Sequence, residues 1–253
     1  MTCITLVGAS TESGNFIMQF DPPLTEATLL RRYKRFLADV RDAQGREFTA
    51  HCPNTGSMMG CMEPGSRVWL SHSADPKRKY AHTWQLVEAD ATLVGINTGL
   101  ANRLVEEAIH SGLIAELQGW PTLRREVRYG DQRSRIDLLL EAGERRCYVE
   151  VKNVTAAVSD GVAIFPDAVS ARGSKHMEEL MLMVRAGHEA ALVFCVQRGD
   201  VHSVRPADTI DPLYGARLRE AADAGVQILA YGAQVKSAGV SLGRALDVDL
   251  TSP

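Results

Sequence analysis

The stretch SRIDLLLEAGERRCYVEVKNVT, residues 134–155, is the part of the sequence that decides the fold. Two apolar runs flank Gly143-Glu144, and this pattern predicts a β-hairpin closed by a two-residue turn. In that register Asp137 lies directly opposite Glu150. Lys152 lies on the same face as Glu150, because side chains alternate along a strand. The hairpin therefore brings two carboxylates and one ammonium group together.

The two opposed carboxylates need a partner, because like charges directly across a strand pair repel each other. A divalent cation such as Mg²⁺ or Mn²⁺ removes that repulsion, with Asp137 and Glu150 as its ligands and open positions for water and a phosphate. Lys152 is then placed to orient a bound water and to stabilise transition-state charge. The alternative interpretation is a cross-strand ladder of ion pairs on a solvated face.

Around the hairpin, residues 91–253 alternate between strand and helix patterns, which predicts an α/β domain with a mixed sheet. Helices are expected at 100–111, at 174–186 and after Asp211, which is the N-cap before Pro212. Strands are expected in five segments: 126–129, 134–141, 147–155, 190–196 and 226–231.

Residues 18–90 contain short strand patterns separated by turn signals, which predicts a small OB-like β-barrel. The expected strands are 27–40 as one bent strand, 46–52, 66–72 and 83–89. Residues 1–17 are small and polar, and we expect a frayed N-terminal extension there. The predicted fold class is α/β in the broad α+β sense, an OB-like barrel followed by a mixed-sheet domain.

The composition is that of a soluble globular protein, with 253 residues, 45% hydrophobic, 23% charged and a net charge of −3. No apolar run is long enough for a transmembrane helix. The first residues lack the basic segment and the apolar core of a secretory signal. The five cysteines form no CxxC pair. These features indicate reduced thiols and a cytoplasmic location, with no membrane partner.

Two basic clusters in the predicted barrel, 31–35 and 77–79, lie next to aromatic residues. This combination suits a phosphate backbone and exposed bases, although solvated surface charge is the alternative. Lys175 and His176 are expected in the first turn of helix 174–186, where they are placed to bind a DNA phosphate. The complete set of expected nucleic-acid contacts is Arg31, Arg32, Lys34, Arg35, Lys77, Arg78, Lys79, Arg135, Lys175 and His176.

The pattern D137-x12-E150-V-K152 on a hairpin that follows a helix resembles the PD-(D/E)XK nuclease core. Seven motifs in order resemble the sugar fermentation stimulation protein A (SfsA) family over roughly residues 18–235: RRYKRFLADV at 31–40, HCPNTGSM at 51–58, GSRVWLS at 65–71, NRLVEEAI at 102–109, SRID at 134–137, YVEVKNVT at 148–155 and FPDAVSARGSKHMEEL at 165–180. The resemblance implies an N-terminal OB-like domain, a C-terminal PD-(D/E)XK nuclease-like domain and DNA binding.

Carried over by motif, Asp137 and Glu150 are the implied metal ligands and Lys152 is the implied catalytic lysine. Nuclease cores of this class often add an acidic residue from the first helix. Glu106 and Glu107 are both candidates, and the helical stripe and the family pattern favour Glu107. The alternative role of Glu107 is an ion pair with Arg103 one turn earlier.

The leading functional prediction is a DNA-binding protein with a metal-dependent nuclease site, with RNA as a further possible substrate. The second is a non-enzymatic DNA-binding regulator of sugar-utilisation genes on a nuclease-like fold, because a fold does not settle a function. The third is a carbohydrate enzyme, which only the family's name suggests. The sequence leaves the oligomeric state open, with a dimer as one option.

Overall fold

The computed structural model describes residues 18–130, 134–158 and 161–252. The predicted N-terminal extension, 1–17, lies outside these residues. The strands are β1 Met18–Gln19, β2 Thr25–Tyr33, β3 Leu37–Asp42, β4 Glu47–His51, β5 Arg67–His72, β6 His82–Ala89, β7 Thr92–Gly95, β8 Thr122–Tyr129, β9 Ser134–Ala142, β10 Arg145–Val154, β11 Ala157–Val158, β12 Val162–Phe165, β13 Glu189–Val196, β14 Ser203–Pro206, β15 Gln227–Lys236, β16 Gly239–Ala245 and β17 Asp247–Val248. The α-helices are α1 Ala101–His110, α2 Ala171–Arg185 and α3 Pro212–Asp223.

The N-terminal half forms the predicted barrel. Its strands follow the order β4-β3-β2-β5-β6-β7, and a parallel pairing of His51 with Thr83 joins β4 to β6 and closes five of them. Apolar side chains that alternate along these strands fill the interior, with Leu29, Leu70 and Trp84 completely buried. The OB-like barrel is therefore confirmed.

The prediction of one bent strand at 27–40 is wrong, because this segment is a hairpin of β2 and β3. Lys34 and Arg35 have positive φ angles of 48° and 63°, so the chain reverses at the basic cluster. Neither residue is Gly, Asn or Asp, the usual signals for that backbone conformation, and the sequence pattern therefore did not reveal the turn.

The second domain is built on a seven-stranded mixed sheet of order β1-β16-β15-β13-β10-β9-β8. Strands β10, β13 and β15 are parallel neighbours at its centre. Helix α1 packs on one face, where Leu104 and Val105 meet Val149 and Val193. Helices α2 and α3 cover the other face. Burial on both faces explains the continuous apolar run of β13, and the predicted mixed-sheet domain is confirmed.

The β9–β10 hairpin has the predicted register. The backbone pairs run from Arg145 with Ala142 to Val149 with Leu138, and Gly143 adopts a φ of 64° in the turn. Asp137 and Glu150 come directly after the last of these pairs on their strands. The hairpin thus places both carboxylates where its regular ladder ends.

Several features of the second domain differ from the sequence prediction or add to it. Strands β1 and β16 of the large sheet lie outside the predicted strands. A small sheet of order β11-β12-β14-β17 was not predicted, because its strands are only two to four residues long. Helix α2 begins at Ala171 rather than at residue 174, and the Ser170 hydroxyl caps it by accepting from the Gly173 amide at 3.1 Å. Lys175 and His176 therefore lie in the second helical turn.

The N-terminal sheet continues past residue 90, since β7 pairs with β6 from Thr92 to Gly95.

No helix in the described ranges is long and apolar enough to cross a bilayer.

Candidate active site

Glu150 is the centre of a buried polar cluster on the face of β10 that α2 covers. Its side chain is only 3% exposed, although the surrounding sheet is apolar. The Lys152 ammonium donates to Glu150 Oε1 at 2.6 Å, as expected for two residues on one face of a strand. His176, from the second turn of α2, contacts the same oxygen through Nδ1.

The hydrogen bonds of His176 determine which ring nitrogen holds the proton. Arg172, one turn earlier on α2, places its Nε 3.2 Å from His176 Nε2. A guanidinium group only donates hydrogen bonds, so Nε2 accepts from Arg172, which leaves the proton on Nδ1 to face Glu150 Oε1; the Lys152 ammonium lies 3.2 Å from the same Nδ1 and donates to Glu150 Oε1 instead. His176 Nδ1 therefore donates to Glu150 Oε1. Arg172 and His176, both on α2, together fix the orientation of the Glu150 carboxylate.

The second carboxylate oxygen of Glu150 differs sharply from the first. Glu150 Oε2 is buried and has no hydrogen-bond partner among the described residues. Burial works to raise the pKa of Glu150, but the hydrogen bond from His176 and the charge of Lys152 outweigh it, so the pKa lies below its ordinary value. Glu150 is thus an ionised carboxylate with one oxygen oriented by the protein and one available to a ligand.

Asp137 lies beside Glu150 and is held from two sides. Its Oδ1 accepts from the Asn102 side-chain amide at 2.9 Å, and its Oδ2 accepts from the Val151 backbone N–H at 2.8 Å. Burial first, and then the negative charge of Glu150, raise the pKa of Asp137 above its ordinary value. The charge of Glu150 therefore opposes the ionisation of Asp137.

These observations agree with a divalent-cation site at Asp137 and Glu150. The donors are carboxylate oxygens, one of them unsatisfied, and Mg²⁺ and Mn²⁺ prefer oxygen ligands. The described residues contain no cluster of three acidic, histidine or cysteine side chains already converged as ligands. A cation held by these two carboxylates would then complete its coordination with water or substrate oxygens, which magnesium sites usually do.

Helix α1 contributes Asn102 to this cluster, a residue that sequence reasoning missed. The predicted acidic residues of α1 have partners of their own: Glu107 Oε1 accepts from Arg103 at 2.8 Å, and Glu106 pairs with Arg125 on β8. Glu107 Oε2, like Glu150 Oε2, is buried with no hydrogen-bond partner among the described residues. The Arg103–Glu107 pair is the one that the helical spacing predicted. Asn102 precedes Glu106 by one helical turn, and that spacing was the available signal for it.

The basic cluster at 31–35 is largely engaged within the barrel. Arg31 pairs with Asp39 at 2.8 Å. Arg32 Nη2 donates to the backbone carbonyls of Asn54, at 3.0 Å, and Gly56, at 2.8 Å. The Arg35 Nε donates to the Thr55 carbonyl at 2.9 Å, while Lys34 is exposed at the turn.

The remaining predicted contacts lie at different depths. Lys77, Arg78 and Lys79 are exposed, and Arg78 donates to the Thr83 hydroxyl at 2.9 Å. Arg135 is also exposed, at the start of β9. Lys175 is half-buried and His176 is buried. The fold therefore brings together Asp137, Glu150, Lys152 and His176, and it leaves the two barrel clusters outside that group.

Family models of known proteins match both halves of the chain. The family description "Sugar fermentation stimulation protein RE domain" matches residues 99–239, and "SfsA N-terminal OB domain" matches residues 30–96. The "Sugar fermentation stimulation protein homolog" of Thioalkalivibrio sulfidiphilus is 84% identical over 234 residues, 92% of this chain and 99% of that protein. Its counterpart in Halorhodospira halophila is 57% identical over 235 residues, 91% of this chain and 98% of that protein.

A solved structure is similar over nearly the whole length. It is the structure of Pyrococcus furiosus SfsA in complex with Ca²⁺, and it superposes with a TM-score of 0.83 at 31% identity. The match covers 92% of this chain and 99% of that one.

Proposed function

The chain belongs to the sugar fermentation stimulation protein family, and we propose that it is a DNA-binding phosphodiesterase that depends on Mg²⁺ or Mn²⁺. The observation on which this proposal rests is the Glu150 carboxylate. One of its oxygens is held by Lys152 and His176, and the other is buried without a partner among the described residues. A buried polar atom of this kind costs free energy unless a ligand satisfies it.

The neighbouring carboxylate and the Pyrococcus relative support a cation as that ligand. Burial and then the negative charge of Glu150 raise the pKa of Asp137, and a shared divalent ion would offset the repulsion between the two carboxylates. The Pyrococcus protein was solved in complex with Ca²⁺, another cation that prefers oxygen ligands. We therefore assign Asp137 and Glu150 as the cation's protein ligands.

The protein's own groups have distinct tasks in this proposal. A bound cation would polarise the phosphodiester and lower the pKa of a water. The Lys152 ammonium lies beside Glu150, where it would stabilise the extra negative charge that a phosphate gains in the transition state. Arg172 and His176 hold Glu150 in place, and Asn102 holds Asp137. The exposed lysines of the barrel attract the nucleic-acid backbone.

The second candidate is a non-enzymatic DNA-binding regulator, and the pairing of Glu150 within the protein favours it. Glu150 Oε1 already accepts from two donors, so the protein's own groups compensate much of its charge without a metal. In that case the cluster is a buried ion network that stabilises the domain. The four described cysteines are free and buried, and we propose a cytoplasmic location for either function.

The two candidates are separated by a cleavage and binding assay at low salt. Single-stranded, duplex and branched DNA and RNA are incubated with Mg²⁺ or Mn²⁺, or with EDTA. The test variants are Glu150→Gln, which keeps the side-chain volume, and Lys152→Ala. The matched control is Glu141→Gln, a carboxylate on β9 of the same hairpin that pairs with Arg124 instead.

We expect metal-dependent cutting that falls by at least about a hundredfold in Glu150→Gln and Lys152→Ala and is kept in Glu141→Gln. Folding of each variant is checked by circular dichroism. Binding without cutting, equally strong in all variants, would refute the nuclease and support the regulator. The preferred polymer in the assay distinguishes DNA from RNA.

A further inference from the structure

A cavity of about 180 Å³ lies between the barrel and the second domain. Its walls are the Asn54–Gly56 loop, Thr98, the end of β10 from Asn153 to Ala156, and residues 164, 165 and 167. We propose that it binds the base of one unpaired nucleotide of the strand whose phosphate lies at Glu150 and Lys152. This inference rests on the proposed function and names the part of the substrate that lies next to the reacting phosphate.

The cavity shares its supporting segments with the candidate active site. Asn153 directly follows Lys152 on β10, so one strand carries both a cavity residue and a site residue, with their side chains on opposite faces. Thr98 belongs to the turn that leads into α1, the helix whose Asn102 holds Asp137. Asp167 lies in the segment that leads into α2, shortly before Arg172. The cavity and the carboxylates are therefore built on one strand, β10, and on the segments that lead into α1 and α2.

The lining determines the class of ligand. The polar side chains are two amides, Asn54 and Asn153, several threonine hydroxyls and the Asp167 carboxylate. No lysine, arginine or histidine lines the cavity within the described residues. A phosphate would meet a carboxylate without a cation there, so a neutral group is favoured. Amide side chains both donate and accept hydrogen bonds, which matches the edges of nucleobases.

The barrel loop of the cavity is held by hydrogen bonds from two arginines and from its own asparagine. Arg32 and Arg35 bind three successive backbone carbonyls, those of residues 54, 55 and 56. Asn54 Oδ1 also accepts from the Gly56 N–H at 2.8 Å. All three carbonyls therefore have partners, and the side chains of Asn54 and Thr55 contribute to the cavity wall. A site organised in advance loses less entropy when a ligand binds.

Direct contacts join this loop to the second domain. The Ser57 hydroxyl donates to the Asp167 carbonyl at 2.8 Å, and the Met58 N–H donates to the Asp167 carboxylate at 2.9 Å. A Cβ atom on Gly56 would lie 3.3 Å from that carboxylate, so glycine permits the close approach of the two domains. These contacts hold the cavity at a defined width.

The test uses the four nucleosides adenosine, guanosine, cytidine and thymidine, which contain a base but no phosphate. They are titrated into the full-length protein in EDTA, and the side-chain amide signals of Asn54 and Asn153 are followed by NMR. Ribose and inorganic phosphate are titrated separately. The cavity variant is Thr55→Trp, and its matched control is Thr25→Trp, another exposed threonine of the barrel.

We expect at least one nucleoside to shift both amide signals saturably, with an affinity at least about tenfold weaker in Thr55→Trp and unchanged in Thr25→Trp. A second variant, Asn153→Asp, keeps the oxygen that Gln197 contacts and replaces the amide donor, and it should change which nucleoside binds best. No nucleoside shift, a shift insensitive to Thr55→Trp, or an equal shift with ribose would overturn the proposal.

The nucleoside titration is run in EDTA without metal, so its result is independent of the metal-dependent cleavage in the proposed function. A protein that cuts DNA but binds no nucleoside at these amides would refute the base pocket alone. A protein that binds nucleosides here and cuts no nucleic acid would refute the nuclease and leave the pocket supported.

Discussion

Two β-hairpins of this chain hold clusters of charged side chains, and the two clusters differ in how far their side chains are exposed to solvent. In the barrel, the β2–β3 hairpin holds Arg31, whose side chain is 70% exposed beside Asp39. In the second domain, the β9–β10 hairpin holds Glu150, which is 3% exposed beside Lys152. Residue type alone assigns both clusters to nucleic-acid chemistry.

The difference teaches that burial, rather than charge alone, identifies the stronger candidate. Exposed ion pairs such as Arg31–Asp39 contribute little to the free energy of folding, and water hydrogen-bonds any exposed polar atom that has no protein partner. A buried carboxylate has no such alternative, so the unpartnered oxygen of Glu150 calls for a ligand. The four predictions that follow test this contrast.

The largest effect is expected at His176, which in the proposed site would act on the cation through Glu150. His176→Leu removes the donor to Glu150 Oε1 and should weaken Mn²⁺ binding by about ten- to a hundredfold. His176→Asn puts an amide nitrogen near the position of Nδ1, so it should restore most of that affinity. Isothermal titration of Mn²⁺ measures both variants. Equal affinities in His176→Leu and the parent protein would show that Glu150 needs no orientation from α2.

Substitution of Arg32 tests the β2–β3 hairpin of the barrel, where we expect an effect on the stability of the fold. Arg32→Lys keeps the charge but loses the Nη2 group that donates to the carbonyls of Asn54 and Gly56. The free energy of unfolding should fall by about 1–2 kcal/mol in urea titrations. Lys34→Ala, at the exposed turn, serves as the control and should change stability by less than about 0.5 kcal/mol. Unchanged stability in Arg32→Lys would show that this arginine is free for nucleic acid.

Lys77 and Lys79 are the exposed lysines of the second barrel cluster, and replacing both with alanine should weaken DNA binding. If each contacts one phosphate, the slope of log affinity against log salt should decrease in magnitude by about 2. Fluorescence anisotropy at several salt concentrations measures the slope. Arg31→Ala should change it less, because Arg31 already pairs with Asp39. A larger effect from Arg31 would reverse the ranking of the two basic clusters.

The smallest effect concerns Asp39, the carboxylate of the barrel hairpin. Burial works to raise its pKa, but hydrogen bonds from Thr49, Arg31 and Tyr33 outweigh it, so its pKa lies below the ordinary value. The stabilisation is therefore present above about pH 4 and is lost as pH falls through the folded-state pKa. Asp39→Asn should lower the free energy of unfolding at pH 7 by less than about 1 kcal/mol. Unfolding titrations at pH 7 and pH 3 should show this difference shrinking in acid; a constant difference would contradict the assignment.

Local patterns predicted most of the fold. The apolar run of β13, the N-cap at Asp211 and the glycine turn at Gly143 each act within a few residues, so the sequence alone was enough to locate those elements. The turn at Lys34 and Arg35 and the short strands β12 and β14 were missed. Their conformations depend on contacts with distant parts of the chain rather than on local residue preferences.

The candidate site divides in the same way. By itself the sequence determined the hairpin register and, with it, that Glu150 and Lys152 share a face near Asp137, because strand alternation is a local geometric property. Only the tertiary structure decided that His176 orients Glu150 from 26 residues away and that Asn102 holds Asp137 from 35 residues away. Which helix face meets a strand depends on how α1 and α2 pack against the two sides of the sheet, and that packing is a property of the whole domain.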